Sequence, residues 1–128
     1  MLGTLGINEQ TEHFSISEFR GGFPYGIIIS DITTEGMSSA LGIIRDNPFI
    51  RSLYLSFTQV ADAGLADLRK MTGLRHLDLS FTRVGDAGLV HLSGLTGLQH
   101  LNLSDTRVAD AGLAHLRKIT KLETLVFR

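Results

Sequence analysis

The chain has no cysteine and no tryptophan, only two prolines, no excess of charge of either sign and no long apolar run. Each absence excludes something. Without cysteine there is no disulfide framework and no thiolate metal site. With 12 basic and 13 acidic residues the net charge is −1, so there is no basic footprint for nucleic acid or for an anionic bilayer, and neither is expected as a partner. No stretch approaches the roughly 18 apolar residues of a membrane-spanning helix. The opening M-L-G-T-L-G-I-N-E-Q has no basic segment and no apolar core, so no signal peptide is expected, and the expected compartment is the cytoplasm. There is no glycine-rich phosphate loop, no nucleophile elbow and no H-E-x-x-H. No catalytic residue, no cofactor and no enzyme activity are expected.

What the chain does have is repetition. Residues 50–73, 74–97 and 98–121 are three near-copies of one 24-residue segment, and L-E-T-L-V-F-R (122–128) begins a fourth. A fixed period of this length predicts a stacked solenoid, in which each coil buries its apolar side against its neighbours. Within each copy the apolar period changes. Leu53 and Leu55 alternate with polar residues, as do Leu77 and Leu79, and Leu101 and Leu103, which predicts a short strand with one buried face. After a turn at Thr58, Thr82 or Thr106, apolar residues recur at helical spacing, as in Leu65, Leu68 and Met71. Asp62, Asp86 and Asp110 stand where a helix N-cap is expected, since a carboxylate accepts an orphan backbone N–H. The glycines two residues later are read as points of close approach between coils.

L-x-x-L-x-L, a polar turn residue and then a helix opened by D-A-G-L together resemble the leucine-rich repeat family, in the short form found in many bacterial proteins. The resemblance implies an α/β fold: a right-handed solenoid with parallel strands on its concave face and short helices on its convex face. It also implies turn residues that tie adjacent coils together, a role assigned here to the hydroxyls of Thr58, Thr82 and Thr106. Residues 25–49 read as a divergent first repeat, similar to the longer ribonuclease-inhibitor-like form. A shift of 28 would set Tyr25 on Leu53 and Ile27 on Leu55, with a helix over about 35–45. Residues 1–24 do not repeat and are expected to cap the apolar end as a hairpin.

Repetition explains the leucines, glycines and aspartates, so candidate functional residues are those that vary inside the frame. On the strands these are Arg51, Arg75 and Gln99; His76 and His100; Tyr54, Asp78 and Asn102. They are the expected protein-binding surface, and Tyr and Arg are residues favoured at interface hot spots. Ser52 and Ser80 fall in the same exposed columns. His76 and His100, on strands about 4.8 Å apart, are placed to stack or to share a metal with Asp78. The duplication of a solvated histidine accounts for them better, and no metal is assigned. His91 and His115 read as surface residues. Phe57 and Phe81 follow the strands at a position that is Asp105 in the third copy, and two readings stay open: core filler at the corner, or an exposed aromatic pair.

The fourth strand motif has no turn or helix after it. An open edge invites pairing with another chain, so Leu125, Val126 and Phe127 are candidates for self-association in a homodimer. A longer array and a frayed last coil are the alternatives. The expected function is a non-enzymatic protein-interaction module for a partner the sequence does not identify. A self-assembling structural module and a regulatory subunit of a larger enzyme are the competing readings.

Overall fold

The computed structural model describes residues 2–5, 15–19, 26–30, 34–44 and 50–127. Seven strands form one sheet in chain order: β1 (Leu2–Leu5), β2 (Ser15–Phe19), β3 (Gly26–Ser30), β4 (Ser52–Tyr54), β5 (His76–Asp78), β6 (His100–Asn102) and β7 (Thr124–Val126). The first two joints are antiparallel and the remaining four are parallel. The five parallel strands are the stacked rungs of an α/β solenoid.

β3 is five residues long, and β4 to β7 are three residues each. Leu53, Leu77 and Leu101 point inward and are buried, while their neighbours point out. Leu55, Leu79 and Leu103 continue the alternation and carry the backbone ladder one step further, their N–H groups donating to the carbonyls of Asp78, Asn102 and Val126. A second, shorter contact forms where the chain turns, with Ala61 bridging to Arg83 and Gly85 to Arg107. The valines beside these bridges, Val60 and Val84, are fully buried. One continuous apolar core therefore runs from Ile29 and Met37 to Ile119, with Leu113, Leu122 and Phe127 packed on its edge. Each fully buried leucine contributes about 1.5–3 kcal/mol.

The return segments differ along the chain. α1 (Thr34–Ile44) is a regular α-helix. The next two, Asp62–Lys70 and Asp86–Leu92, are 3-10 helices. The last begins as α2 (Asp110–Leu113) and tightens into a 3-10 turn at Ala114–Leu116. A 3-10 helix rises about 2.0 Å per residue and is narrower than an α-helix. It spans the back of a 24-residue coil with few residues and lets neighbouring coils approach closely.

Four expectations need correction. The strand register pairs Ile27 with Leu53 and Ile28 with Tyr54, a shift of 26 rather than 28. Ile29 therefore takes the inward place of Leu55, and it is buried. Tyr25, which the shift of 28 set on Leu53, lies outside the described residues, as do His13, Pro48 and Arg128. Second, the aspartates do not cap their own helices. The cap positions are Ala61, Gly85 and Ala109, without side-chain cap bonds. Asp62 Oδ1 instead accepts the backbone N–H of Gly85 in the next coil, and Asp86 Oδ1 that of Ala109, both at 2.6 Å. Third, the threonine hydroxyls do not cross between coils. Thr58, Thr82 and Thr106 donate to the carbonyls of Leu55, Leu79 and Leu103, three residues back in the same coil. Fourth, Ser52 and Ser80 are buried, not exposed.

The close approach expected of the repeated glycine is present. A Cβ on Gly88 would lie 2.6 Å from Asp62 Oδ1 and 3.2 Å from its Cα, and one on Gly112 would press on Asp86 in the same way. The position belongs to glycine because the neighbouring coil's aspartate fills the space.

Candidate functional site

The outward residues of β4, β5 and β6 fall into two adjoining columns. In one, His76 stands opposite Ser52 on one side and His100 on the other, with Thr124 beyond. In the second, Tyr54, Asp78, Asn102 and Val126 stand in line. Between the columns lies an open depression of about 160 Å³, lined by Tyr54, His76, Asp78, His100, Asn102 and Val126 among others. Its walls are largely apolar.

Local structure holds each lining side chain. The ring of Tyr54 rests against Gly26, where a Cβ would sit 3.2 Å from Cε2, so the absent side chain of β3 makes room for it. Asp78 Oδ1 accepts both the backbone N–H and the hydroxyl of Ser80, at 2.9 and 2.6 Å. Asn102 repeats half of this arrangement, its Oδ1 accepting the N–H of Ser104 at 3.0 Å. These bonds fix the rotamers and leave the second atom of each head group, Oδ2 of Asp78 and Nδ2 of Asn102, for a ligand.

His76 and His100 stack face to face, with ring centroids 4.3 Å apart and planes inclined by 19°. Burial, and next the neighbouring His100, push the His76 pKa below its ordinary 6.5, and Glu123 opposes the shift without cancelling it. His76 is therefore neutral at pH 7. A nitrogen lone pair lies in the plane of its ring, so two nearly parallel stacked rings do not aim at one ion bound at about 2 Å. Among the described residues, no three histidine, aspartate or glutamate side chains converge on a metal-sized space.

Two polar atoms beside this stack are buried without a hydrogen-bond partner: Ser52 Oγ and His76 Nδ1. They belong to residues directly opposite each other on β4 and β5. A serine next to a histidine invites comparison with a nucleophile and its base. Ser52, however, is only 1% exposed, which closes its hydroxyl to any substrate. Sequence reasoning missed this burial because Ser52 occupies an outward position by strand alternation.

The remaining candidates lie outside the depression. Arg75 is exposed and Gln99 half-buried. Arg51 Nη1 donates to the Gly73 carbonyl at 3.4 Å. On the opposite side of the solenoid His91 is more than a surface residue: its Nδ1 accepts from Arg69 Nε at 2.9 Å. Burial, then the Arg69 guanidinium, push its pKa below 6.5 against the pull of Asp62. Phe57 and Phe81 are exposed and stacked, with centroids 4.4 Å apart and planes 8° from parallel. Both have left-handed backbones, φ 61° and 57°, as does Asp105 at 54°. The exposed-pair reading is the one the structure supports. Leu125 is 40% exposed, although Leu53, Leu77 and Leu101 in the same register are at most 2% exposed. Among the described residues, no helix is long and apolar enough to cross a membrane.

The leucine rich repeat sequence model matches residues 46–68, 70–93 and 95–116, more than half of the chain. This protein belongs to the leucine-rich repeat family. A comparison with curated proteins gave no match. Among solved structures, this leucine-rich repeat chain is similar to an internalin (inlF) from Listeria monocytogenes, with 18% identity and a TM-score of 0.52 over 69% of this chain and 31% of that one. It is also similar to an internalin C2 (inlC2) from the same organism, with 16% identity and a TM-score of 0.43 over 66% of this chain and 45% of that one. The leucine-rich repeat chain thus spans under half the length of either. At these identities the likeness is one of fold.

Proposed function

We propose that this leucine-rich repeat chain is a protein-binding module, without catalytic activity of its own, whose outward sheet face receives a segment of a protein partner. The observation that carries the reading is the depression. Its second column changes at every coil, from Tyr54 to Asp78, Asn102 and Val126, and its first keeps histidine only at His76 and His100, between Ser52 and Thr124, while Leu53, Leu77, Leu101 and Leu125 repeat without change. A rigid frame with variable, partly apolar residues on an extended face suits protein recognition. Tyr54, His76, Asp78, His100 and Asn102 form the centre of the contact, and Arg51, Arg75 and Gln99 form its rim. Residues 1–24 serve as the cap. At about 160 Å³ the depression is well below the roughly 300–1,000 Å³ typical of pockets for cofactors and small substrates. It has room for one side chain. The test is capture of partners by the wild-type chain and by a Tyr54→Ala, His100→Ala variant with an unchanged far-ultraviolet circular dichroism spectrum. Loss of captured proteins is expected, and undiminished capture places the binding surface elsewhere.

A second reading is self-association of two copies through Leu125, Val126 and Phe127, at and just after the last described strand. A two-fold axis would set the β7 edges antiparallel. Light scattering across a concentration series should then show a dimer that Val126→Lys converts to monomer. A monomer at every concentration refutes it.

A further inference from the structure

The depression carries a charge pattern that selects among partners. Asp78 is the only acid among its lining residues and none of them is an arginine or lysine; His76 is held neutral, and Tyr54, Asn102, Thr124 and Val126 bear no charge. The arginines on the same face stand apart from it: neither Arg51 nor Arg75 lines the depression, and Arg51 is turned to the Gly73 carbonyl. Glu123 lies close enough to His76 to act on its titration and adds to the negative potential at that end. The walls are aromatic and aliphatic. A site with apolar walls, one fixed carboxylate and room for one side chain fits a long amphipathic cation, which buries its methylene stem and keeps its head on an acid.

Resting on the reading of the sheet face as the binding surface, we propose that the depression is a socket for one arginine or lysine side chain of the partner. The cationic head meets Asp78 Oδ2, and the stem lies between Tyr54 and the imidazole stack. Asp78 is suited to the role because its Oδ1 is anchored by Ser80, so the free oxygen is presented without loss of side-chain freedom on binding.

The test uses N-acetyl-arginine amide as probe and N-acetyl-citrulline amide as its uncharged counterpart, each titrated into the isotope-labelled full chain and followed by NMR. The arginine probe should shift the signals of Tyr54, His76 and His100 saturably at millimolar concentration, and citrulline should bind about tenfold more weakly or worse. Asp78→Asn should bring the arginine affinity down to that of citrulline. This variant keeps its turn, because Asn102 already makes the equivalent bond to Ser104 in the next coil. Conversely, Asn102→Asp should add a second carboxylate and tighten arginine binding severalfold. Equal shifts from both probes, or none from either, overturn the cationic socket. They leave the broader reading of a protein-binding face to its own capture experiment.

Discussion

Asp62 reaches across the coil boundary to Gly85, its carboxylate accepting the backbone N–H 23 residues on at 2.6 Å. Asp86 makes the same bond to Ala109. The donor in each case is the cap residue of the following helix, so one coil's carboxylate satisfies a backbone group that the next coil has no side chain to serve. Asp86→Ala should cost about 1–2 kcal/mol, the value of a charge-assisted bond, since the exposed Ala109 N–H then turns to water. Asp86→Asn keeps an acceptor and should cost less. Asp110, which has no following coil among the described residues, is the internal control, and its alanine variant should be near neutral. Urea unfolding of the three variants decides the matter, and equal losses from all three would refute the cross-coil role.

The glycine pressed against that aspartate makes an opposite prediction to helix propensity. In an ordinary helix Gly→Ala gains up to about 1 kcal/mol. A Cβ on Gly88 meets Asp62 Oδ1 at 2.6 Å and Leu65 Cδ1 at 3.2 Å. Gly88→Ala should therefore destabilise by about 1–3 kcal/mol through overpacking between coils. Gly94 has nothing within 4 Å of its added Cβ, and Gly94→Ala should be neutral or mildly stabilising. Thermal melts of the two variants give the comparison, and a stabilised Gly88→Ala would show that the coils have slack.

Phe57 contributes little to stability. It is 74% exposed and sits at φ 61°, a left-handed conformation that costs a side-chain-bearing residue about 1–2 kcal/mol. Its stack on Phe81 returns a similar amount, about 0.5–1.5 kcal/mol. Phe57→Gly relieves the backbone and loses the stack, so stability should stay within about 1 kcal/mol of wild type. Truncating a core phenylalanine would cost about 3–5 kcal/mol. A loss in that range on urea titration would return Phe57 to the core.

Two histidines set the direction of the pH dependence. His76 and His91 both have pKa values below 6.5 in the folded chain, mainly through burial. On unfolding each returns to about 6.5. As pH falls through 6.5 the unfolded chain takes up protons that the folded chain resists, so stability drops with acidification and is fully present above 6.5. Urea midpoints above and below pH 6.5 should show the drop, and a His76→Gln, His91→Gln variant should show less of it. A midpoint that rises on acidification reverses the sign and removes both histidines from the explanation.

The solenoid was legible because it rests on local patterns repeated at fixed spacing. Leu53, Leu77 and Leu101 announce a strand by alternation, and Leu65, Leu89 and Leu113 announce the return segment. The outward residues could be listed by the same alternation, which brought Tyr54, His76, Asp78, His100 and Asn102 to one face. Sequence alone thus determined the fold family, the buried frame and the columns from which a binding face is drawn. Tertiary structure decided what each polar atom bonds to, because that depends on distances between coils, which no single coil encodes. It turned Asp62 from a cap of its own helix into a tie to Gly85, buried Ser52 behind an outward register, and shortened the first offset to 26 residues. It also left Phe57 in a strained, exposed place and set His76 flat against His100. Periodicity specifies which side of the chain faces inward. Only the stacked coils specify which groups, once outward, are close enough to act together.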